Sequence, residues 1–530
     1  MQSILQYRRL HHRDLDTQSR QIAHERQHEG KDSSSTIEVT ANGDDSTSPR
    51  EWSTLHRTRA AAIVWLLVFS QGWVSTCDSE ATKPAGLAYH VSETSQTLAT
   101  ALFMIGLSTG ALIAGPVSET VGRNPVYLGS TVLLLVFTLG AALAPNFGAQ
   151  VAFRFLSGVA SSPTLSVYGG TLADLFSDEE RKAIWPVFAT APLLGPVLAP
   201  FAGGWIVQNY EWRWTLWVGL IFAGFSFLLA LLFLPETFGP ELLRWKAQHL
   251  RQVTGNHNYM APIESAEPLQ KRLTTNAARP ITFFTTEPIV MALGFYLVLV
   301  FLINFSFLNG FEFIFTQTYS LSTGLTSLDF LSIALGILLD VALTPLYNRL
   351  ANRVHRKNCR AFVKRKHSNP PDSSSSDSLA PTTDNDNPQT AAPPELALLR
   401  AAIAAPFLPT SLFWLAWTNY ANISPASGYI ATLVFGYAFS ALFISSYQYI
   451  ISSYEVHSSS ALASVTLARY FVGGGMIVAT RPMYQGIGVH WVLSLLGVLA
   501  AVLVPVPWVL VRYGDSVRRR SKFASSPEDD

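Results

Sequence analysis

The chain has 530 residues, 49% of them hydrophobic, 12% aromatic and only 14% charged, against roughly 25% charged in a soluble domain. Its 37 Lys and Arg nearly balance 36 Asp and Glu, a formal charge of +1, so no global bias toward nucleic acid or acidic partners exists. This excludes an ordinary soluble globular domain and indicates a polytopic membrane protein whose first partner is the lipid bilayer.

Residues 1–58 are polar, lack the apolar core of a cleaved signal peptide, and read as a disordered cytosolic tail. HERQH, His24 to His28, matches the H-E-x-x-H zinc pattern in form, yet the tail offers no third ligand and no packed helix. Coincidence is the reading, so no metal and no cofactor is expected. EGKD, Glu29 to Asp32, lacks the leading glycine of a phosphate-binding loop, which removes ATP as the direct energy source.

Twelve apolar runs follow: Ala60–Cys77, Gln96–Pro116, Val126–Leu143, Ala149–Leu172, Ile184–Val207, Leu216–Leu234, Ile289–Asn309, Phe330–Tyr347, Ile403–Trp417, Gly428–Tyr449, Ala461–Met483 and Val489–Val511. At about 1.5 Å per residue, ~20 residues cross a hydrocarbon core of ~30 Å. The stretch 349–366 carries eight Lys and Arg and no acid, 518–522 adds four, and the link after the sixth run adds Arg244, Lys246, Arg251, Lys271, Arg272 and Arg279. With twelve spans all of these fall on one side, which makes both termini cytosolic. The predicted organisation is a six-helix half (59–234), a cytosolic link (235–288) holding the amphipathic ELLRWKAQHLRQ, a second half (289–512) with a disordered loop at 349–395, and a tail (513–530). Cys77 falls outside and Cys359 inside, so they cannot bridge.

Between the second and third runs, GPVSETVGRNPVY (Gly115 to Tyr127) is short enough to force an antiparallel pair. Gly115, Pro116 and Gly122 permit a tight bend, and Glu119 and Arg123, at i and i+4, can pair on one helical face. Asp174, ending the fourth run, and Arg181 in SDEERKA lie at the same edge. Glu119, Gly122, Arg123, Asp174 and Arg181 are therefore expected to form a charge cluster that holds an inner gate shut.

In RFLSGVASSP, Arg154, Gly158 and Ser162 recur every four residues, a smooth stripe against which another helix can slide. Arg154 either faces a partner or cavity, or snorkels to the headgroups. In APLLGPVLAPFAGGW, Gly195, Pro196 and Pro200 kink the fifth helix and admit close neighbours. In the second half Glu312, just past the seventh run, and Arg469, in the eleventh, are the charged candidates, with Tyr296, Asn304, Asn309, Tyr437, Tyr447 and Tyr470 as candidate cavity residues. Glu312 has two readings, a titrating carboxylate that exchanges a proton for substrate or an outer-edge residue facing water. Arg481 has no account from sequence.

These residues resemble the major facilitator superfamily, whose second and third helices are joined by G-x-x-x-D-x-x-G-R, here with Glu119 in the acidic place. The form GPxSExxGRxPxY is similar to that of twelve-helix drug:proton antiporters of fungi, a family of polyamine, multidrug and secondary-metabolite exporters. The likeness runs from about Trp52 to Ala524 and includes WRW (Trp212–Trp214), LPET (Leu234–Thr237), RP and EP (Arg279–Pro280, Glu287–Pro288), LFWLAWT (Leu412–Thr418) and YGDSVRRRSKFA at the end. It implies an all-α membrane protein with the major facilitator fold, twelve transmembrane helices in two six-helix bundles. It also implies proton coupling for Arg154 through an R-x-x-x-G motif, and an antiporter motif at Gly195, Pro196 and Pro200. Ala191 and Ala199 stand where that motif has glycine, and Lys182 replaces a glycine beside Arg181.

A polycation shedding water needs several acids near the midplane, and at most one or two are present. The expected activity is therefore not enzymatic: a monomeric antiporter exporting a hydrophobic toxin, drug or secondary metabolite in exchange for protons. The cell membrane is its expected place, with the vacuolar membrane as alternative. A polyamine or nutrient carrier of the same fold is one rival reading and a non-transporting membrane sensor the other.

Overall fold

The computed structural model describes residues 3, 6–7, 37–39, 48–261, 263, 282–368, 393–454, 458–521 and 523. HERQH, EGKD, Arg279–Pro280 and most of the loop 368–394 lie outside them. The long helices are α1 (Thr54–Thr76), α2 (Leu98–Val121), α3 (Arg123–Ala142), α4 (Phe147–Leu175), α5 (Ala191–Asn209), α6 (Trp214–Phe233), α7 (Pro288–Asn309), α8 (Leu328–Ala342), α9 (Phe407–Thr418), α10 (Ala426–Tyr454), α11 (Ser458–Ile487) and α12 (Val489–Leu503). They form the major facilitator fold, two bundles of six.

Among the described residues eleven helical stretches are long and apolar enough to cross a membrane, and α4 is not among them. Gln150, Arg154, Asp174 and a run of Ser, Thr and Gly dilute it. Its arginine and all its hydroxyls but that of Ser166 are buried against protein, so most of its polar face need not satisfy lipid. The opposite case is α6, whose Ile221, Phe225, Leu228 and Leu232 are exposed on the face available to acyl chains.

Prolines set most differences from the expected boundaries. The fifth run is two helices, Asp178–Phe188 and α5, divided just before Pro192. The ninth is Leu399–Ala404 followed by α9 after Pro406, and the twelfth is α12 followed by Pro505–Arg518. A proline lacks the N–H that continues the ladder and favours a fresh start at the first helical turn. After α8, a 25-residue helix, Thr344–Ser368, runs on.

Within each half, glycines let backbones touch. A Cβ on Gly158 (α4) would overlap the Phe103 carbonyl of α2, and one on Gly336 (α8) the Leu433 carbonyl of α10. The corresponding helices of the two halves thus use the same device. Between the halves, Ser108 on α2 donates to the Leu467 carbonyl of α11 at 3.1 Å, and Gly204 of α5 lies against Ser327 before α8.

The link after α6 forms the expected amphipathic helix, Gly239–Thr254, with Leu242, Ala247 and Leu250 buried. Two-residue strands β1 (Ile37–Glu38) and β2 (Tyr259–Met260) pair in parallel beside it, and Tyr7 meets Trp245 edge-on at 5.5 Å. These described parts of the N-terminal tail are docked.

Gly158→Ala is expected to destabilise the protein by about 1–3 kcal/mol, because the added methyl forces α2 and α4 apart. Gly129→Ala, on α3 with nothing within 4 Å, is expected to be neutral or slightly stabilising. Thermal unfolding of the purified variants in detergent checks the contrast.

Candidate functional site

The bend between α2 and α3 sits at one end of the bundle, here called the hinge end. Gly122 adopts φ +94°, a conformation strained for side-chain-bearing residues, and separates the two helices. The expected i,i+4 pairing of Glu119 and Arg123 on one helical face is therefore corrected: Glu119 closes α2, Arg123 opens α3, and Gly122 interrupts the helix between them. Glu119 still acts on Arg123 through its charge. Arg123 instead bonds Asp174 through Nε at 3.0 Å and Ser118 through Nη1 at 2.7 Å, and its guanidinium lies 4.7 Å from the Phe238 ring centre. A Cβ on Gly170 would stand 2.9 Å from Arg123 Nη2, so α4 is bare where the arginine passes.

Sequence reasoning missed the group that organises this bend. Gly122 has no side chain with which to cap α3. Glu236, from LPET, supplies the cap from across the bundle: its carboxylate accepts the backbone N–H of Arg123 at 2.9 Å and of Asn124 at 3.1 Å, and those of Thr237 and Phe238 at 3.0 and 2.9 Å. The negative charge also faces the positive end of the helix dipole. Burial pushes the Glu236 carboxyl up from its ordinary value, and the four backbone N–H groups pull it back down. Gln6 bonds the Glu236 backbone, its amide oxygen accepting that residue's N–H at 3.0 Å. The available signal was an acid placed immediately after a span. Arg181, expected in the cluster, lies on the helix Asp178–Phe188, whose N-terminus carries a Ser177–Glu180 capping box.

Arg154 is fully buried and does not snorkel. Its Nη1 donates to the Val74 carbonyl at 2.7 Å, and its Nη2 donates to the Ser75 carbonyl at 2.9 Å and to Asp78 Oδ1 at 2.6 Å. Phe103 stacks on it at 4.7 Å, and Thr100 donates a second bond to Asp78 Oδ1 at 3.1 Å. Hydropathy alone places Asp78 in the outer loop, because the apolar run ends at Cys77.

Gly195 and Pro196 of α5 press against α1: a Cβ on Gly195 would stand 2.5 Å from the Phe69 carbonyl, and a Cβ on Gly72 would stand 2.9 Å from Pro196 Cδ. Pro200 cannot donate to the carbonyl of Pro196 one turn earlier, and the Thr76 hydroxyl does so at 2.9 Å. The break in α5 is thus satisfied from α1.

Between the halves lies a cavity lined by Gly72, Ser75, Met104, Leu107, Leu165, Pro192, Leu193, Pro196, Val197, Phe301, Asn304, Phe305, Leu308, Phe439 and Tyr470. Its volume is about 30 Å³, and it is open to solvent on one side. Of the expected cavity residues, Asn304 and Tyr470 line it, Arg469 lies against the Phe301 and Tyr470 rings, and Tyr447 lies against Arg469. Tyr296, Asn309 and Tyr437 do not belong to the lining. Tyr296 is buried within the second half, Asn309 bonds the Phe305 carbonyl of its own helix, and Tyr437 turns away to share a 2.5 Å hydrogen bond with Tyr347.

Glu312 is also outside the cavity. It begins a π-helical turn after α7, at the end opposite the hinge, half exposed and paired with Arg481 at 2.8 Å. Arg481 pairs in addition with Glu93, on the short helix Glu93–Gln96 just before α2. One guanidinium from the second half therefore ties carboxylates of both halves together, which accounts for Arg481. A further buried pair, Arg400 with Asp340 at 2.8 Å, was not anticipated.

Replacing Glu236 by Ala is expected to orphan the first N–H groups of α3 and lower stability by about 1–3 kcal/mol. Glu236→Gln, which retains one acceptor oxygen, is expected to fall between. Comparing unfolding temperatures of both with wild type tests whether capping is its role.

The matching family description is the Major Facilitator Superfamily, over residues 59–363. The chain is 40% identical to the MFS-type transporter kojT of Aspergillus flavus, covering 90% of this chain and 81% of that protein. It is 30% identical to the ascochitine biosynthesis cluster MFS transporter of Didymella fabae (94% and 91% covered) and to the MFS-type efflux pump MFS2 of Trichophyton rubrum (91% and 77%). Among solved structures it is similar to the human organic anion transporter MFSD10 (TETRAN), at 15% identity and TM-score 0.56 with 85% and 99% of the chains covered. It is likewise similar to the xylose transporter XylE from E. coli in a partially occluded inward-open conformation, at 13% identity and TM-score 0.56 with 87% and 98% covered. With a bend capped from LPET, two six-helix halves and a cavity between them, the chain belongs to the Major Facilitator Superfamily, a family of membrane transporters and not of enzymes.

Proposed function

We propose that this transporter exports a hydrophobic small molecule, a toxin, drug or secondary metabolite, from the cytosol in exchange for protons. The observation that carries the reading is the cavity lining, in which no residue is charged and aromatic and aliphatic side chains dominate. Such a surface binds an apolar body and offers a polycation nothing to neutralise it. The names of two relatives, an efflux pump and a biosynthesis-cluster transporter, favour the same direction.

In this reading the hinge end is cytosolic, as the basic residues after α8 and at 518–520 require, and both termini are cytosolic. Glu119, Gly122, Arg123, Asp174 and Arg181, with Glu236, form the inner gate, and Glu312 with Arg481 and Glu93 the outer one. Arg154 carries the coupling: its Nη2 bonds both Asp78 and the carbonyl of Ser75, a cavity residue. A proton delivered to Asp78 weakens the ion pair and frees the α1–α4 contact beside the cargo. Gly195, Pro196 and Pro200 let α5 follow that movement. The protein works as a monomer in the cell membrane.

The test is accumulation of a panel of fluorescent lipophiles in cells with and without the chain. Expression is expected to lower accumulation several-fold, an uncoupler to abolish the difference, and Arg154→Ala or Asp78→Asn to abolish it while protein level is maintained. Accumulation driven inward by the chain, or export indifferent to the uncoupler, overturns the reading.

A further inference from the structure

Among the described residues the buried arginines are Arg154, Arg400, Arg469, Arg481 and Arg518. Four have carboxylates at hand: Asp78, Asp340, Glu93 with Glu312, and Glu395 with Asp515. Arg469 has none. It is 4% exposed near the middle of α11, and its Nε and Nη1 have no hydrogen-bond partner.

Around it stand four aromatic rings, Phe301 at 4.3 Å, Tyr470 at 4.4 Å, Phe443 at 5.1 Å and Tyr447 at 5.2 Å from the guanidinium carbon. Ring faces attract a cation, yet they accept none of its in-plane N–H bonds and carry no net charge. A guanidinium in a membrane interior without an anion is among the costliest arrangements a protein keeps, and such residues mark substrate paths. Phe301 and Tyr470 belong at once to this cage and to the cavity lining, so the cationic group borders the cargo space.

The first half supplies a second unsatisfied group at the seam. Tyr168 on α4 is buried and its hydroxyl has no partner among the described residues. Its ring stacks with Trp185, whose indole N–H donates to the Ile444 carbonyl next to Phe443 at 3.3 Å. Two unpartnered donors, one from each half, thus flank the same stretch of the seam, Tyr168 through Trp185 on Ile444 and Arg469 beside the Phe443 ring.

Building on the export reading above, we propose that Arg469 and Tyr168 form an anion subsite, and that the cargo is a small planar molecule carrying one acidic oxygen, a carboxylate or an enolate. Its apolar body lies among Phe301, Phe439 and Tyr470, and its anionic end takes the N–H groups of Arg469 and the Tyr168 hydroxyl. The cargo itself brings the counterion that the other buried arginines find in the protein. Because the two donors belong to different halves, an anion held by both also draws the halves together.

The test uses the full-length protein in lipid nanodiscs with 2-naphthoate and 2-naphthamide, the same ring system with and without the negative charge. Wild type is expected to bind the acid at least ~10-fold more tightly, the worth of a charge-assisted hydrogen bond. Arg469→Gln is expected to remove that preference while leaving amide binding within about twofold, Arg469→Lys to keep part of it, and Tyr168→Phe to weaken only the acid. Equal binding of the two probes by wild type, binding of neither, or an equal loss for both in Arg469→Gln overturns the subsite. Export of neutral lipophiles alongside any of those results leaves the export reading standing, whereas charge-selective binding without export of any compound supports the subsite and overturns export.

Discussion

A charge inside a membrane protein needs an opposite charge within reach, and this constraint arranges the molecule. Arg123 meets Asp174 at the hinge end, Arg154 meets Asp78 deep in the first half, and Arg481 meets Glu93 and Glu312 at the far end. In the second half Arg400 meets Asp340. Each pair joins different helices, so the cost of desolvation is offset only when those helices keep their places. The paired charges lie at the ends and the flanks, and the residues that line the space between the halves carry none, with the unpaired Arg469 directly beside two of them.

Close packing complements this pairing. Gly106, Gly110 and Gly158 bring α2 and α4 into backbone contact, and Gly336 and Gly436 do the same for α8 and α10. Contacts this tight make each half move as a unit. The halves are joined by sparser polar links, among them Ser108 to Leu467, Trp185 to Ile444, and the Arg481 bridge. Stiff halves with a space between them are what alternate opening about a central site requires.

Much of this was legible in the chain. Twelve helices, the two-half division and the bend at Gly122 follow from hydropathy, link length and the positions of glycine and proline, which are local properties. The stripe Arg154, Gly158 and Ser162 was read correctly as a packing face because four-residue spacing lies on one side of any helix. Partners were harder. Glu236 caps a helix 113 residues earlier, and nothing in LPET states which N–H groups its carboxylate will meet. Asp78 was assigned to a loop because the apolar run ends at Cys77, although one further residue brings it back beneath Arg154. Tyr437 and Asn309 were taken for cavity residues on polarity alone; helical phase turned the first toward Tyr347, and the second satisfied itself on its own helix.

The two pairs proposed to change during transport differ in how they can be broken. Glu93 and Glu312 are about a third exposed, so water can replace Arg481 as their partner at small cost, and screening keeps the bridge weak. Such a bridge closes a rim when the halves meet and parts when they separate. Arg154 and Asp78 are sealed from water, with exposures of 0% and 3% for their side chains. Separating them intact would strand two charges in a dry interior, a cost of several kcal/mol for each ion. In the proposed mechanism a proton delivered to Asp78 neutralises one partner and removes that cost. On that proposal a rim that water opens and a buried pair that a proton opens divide gating from coupling within one chain, and the cavity between them needs no carboxylate of its own.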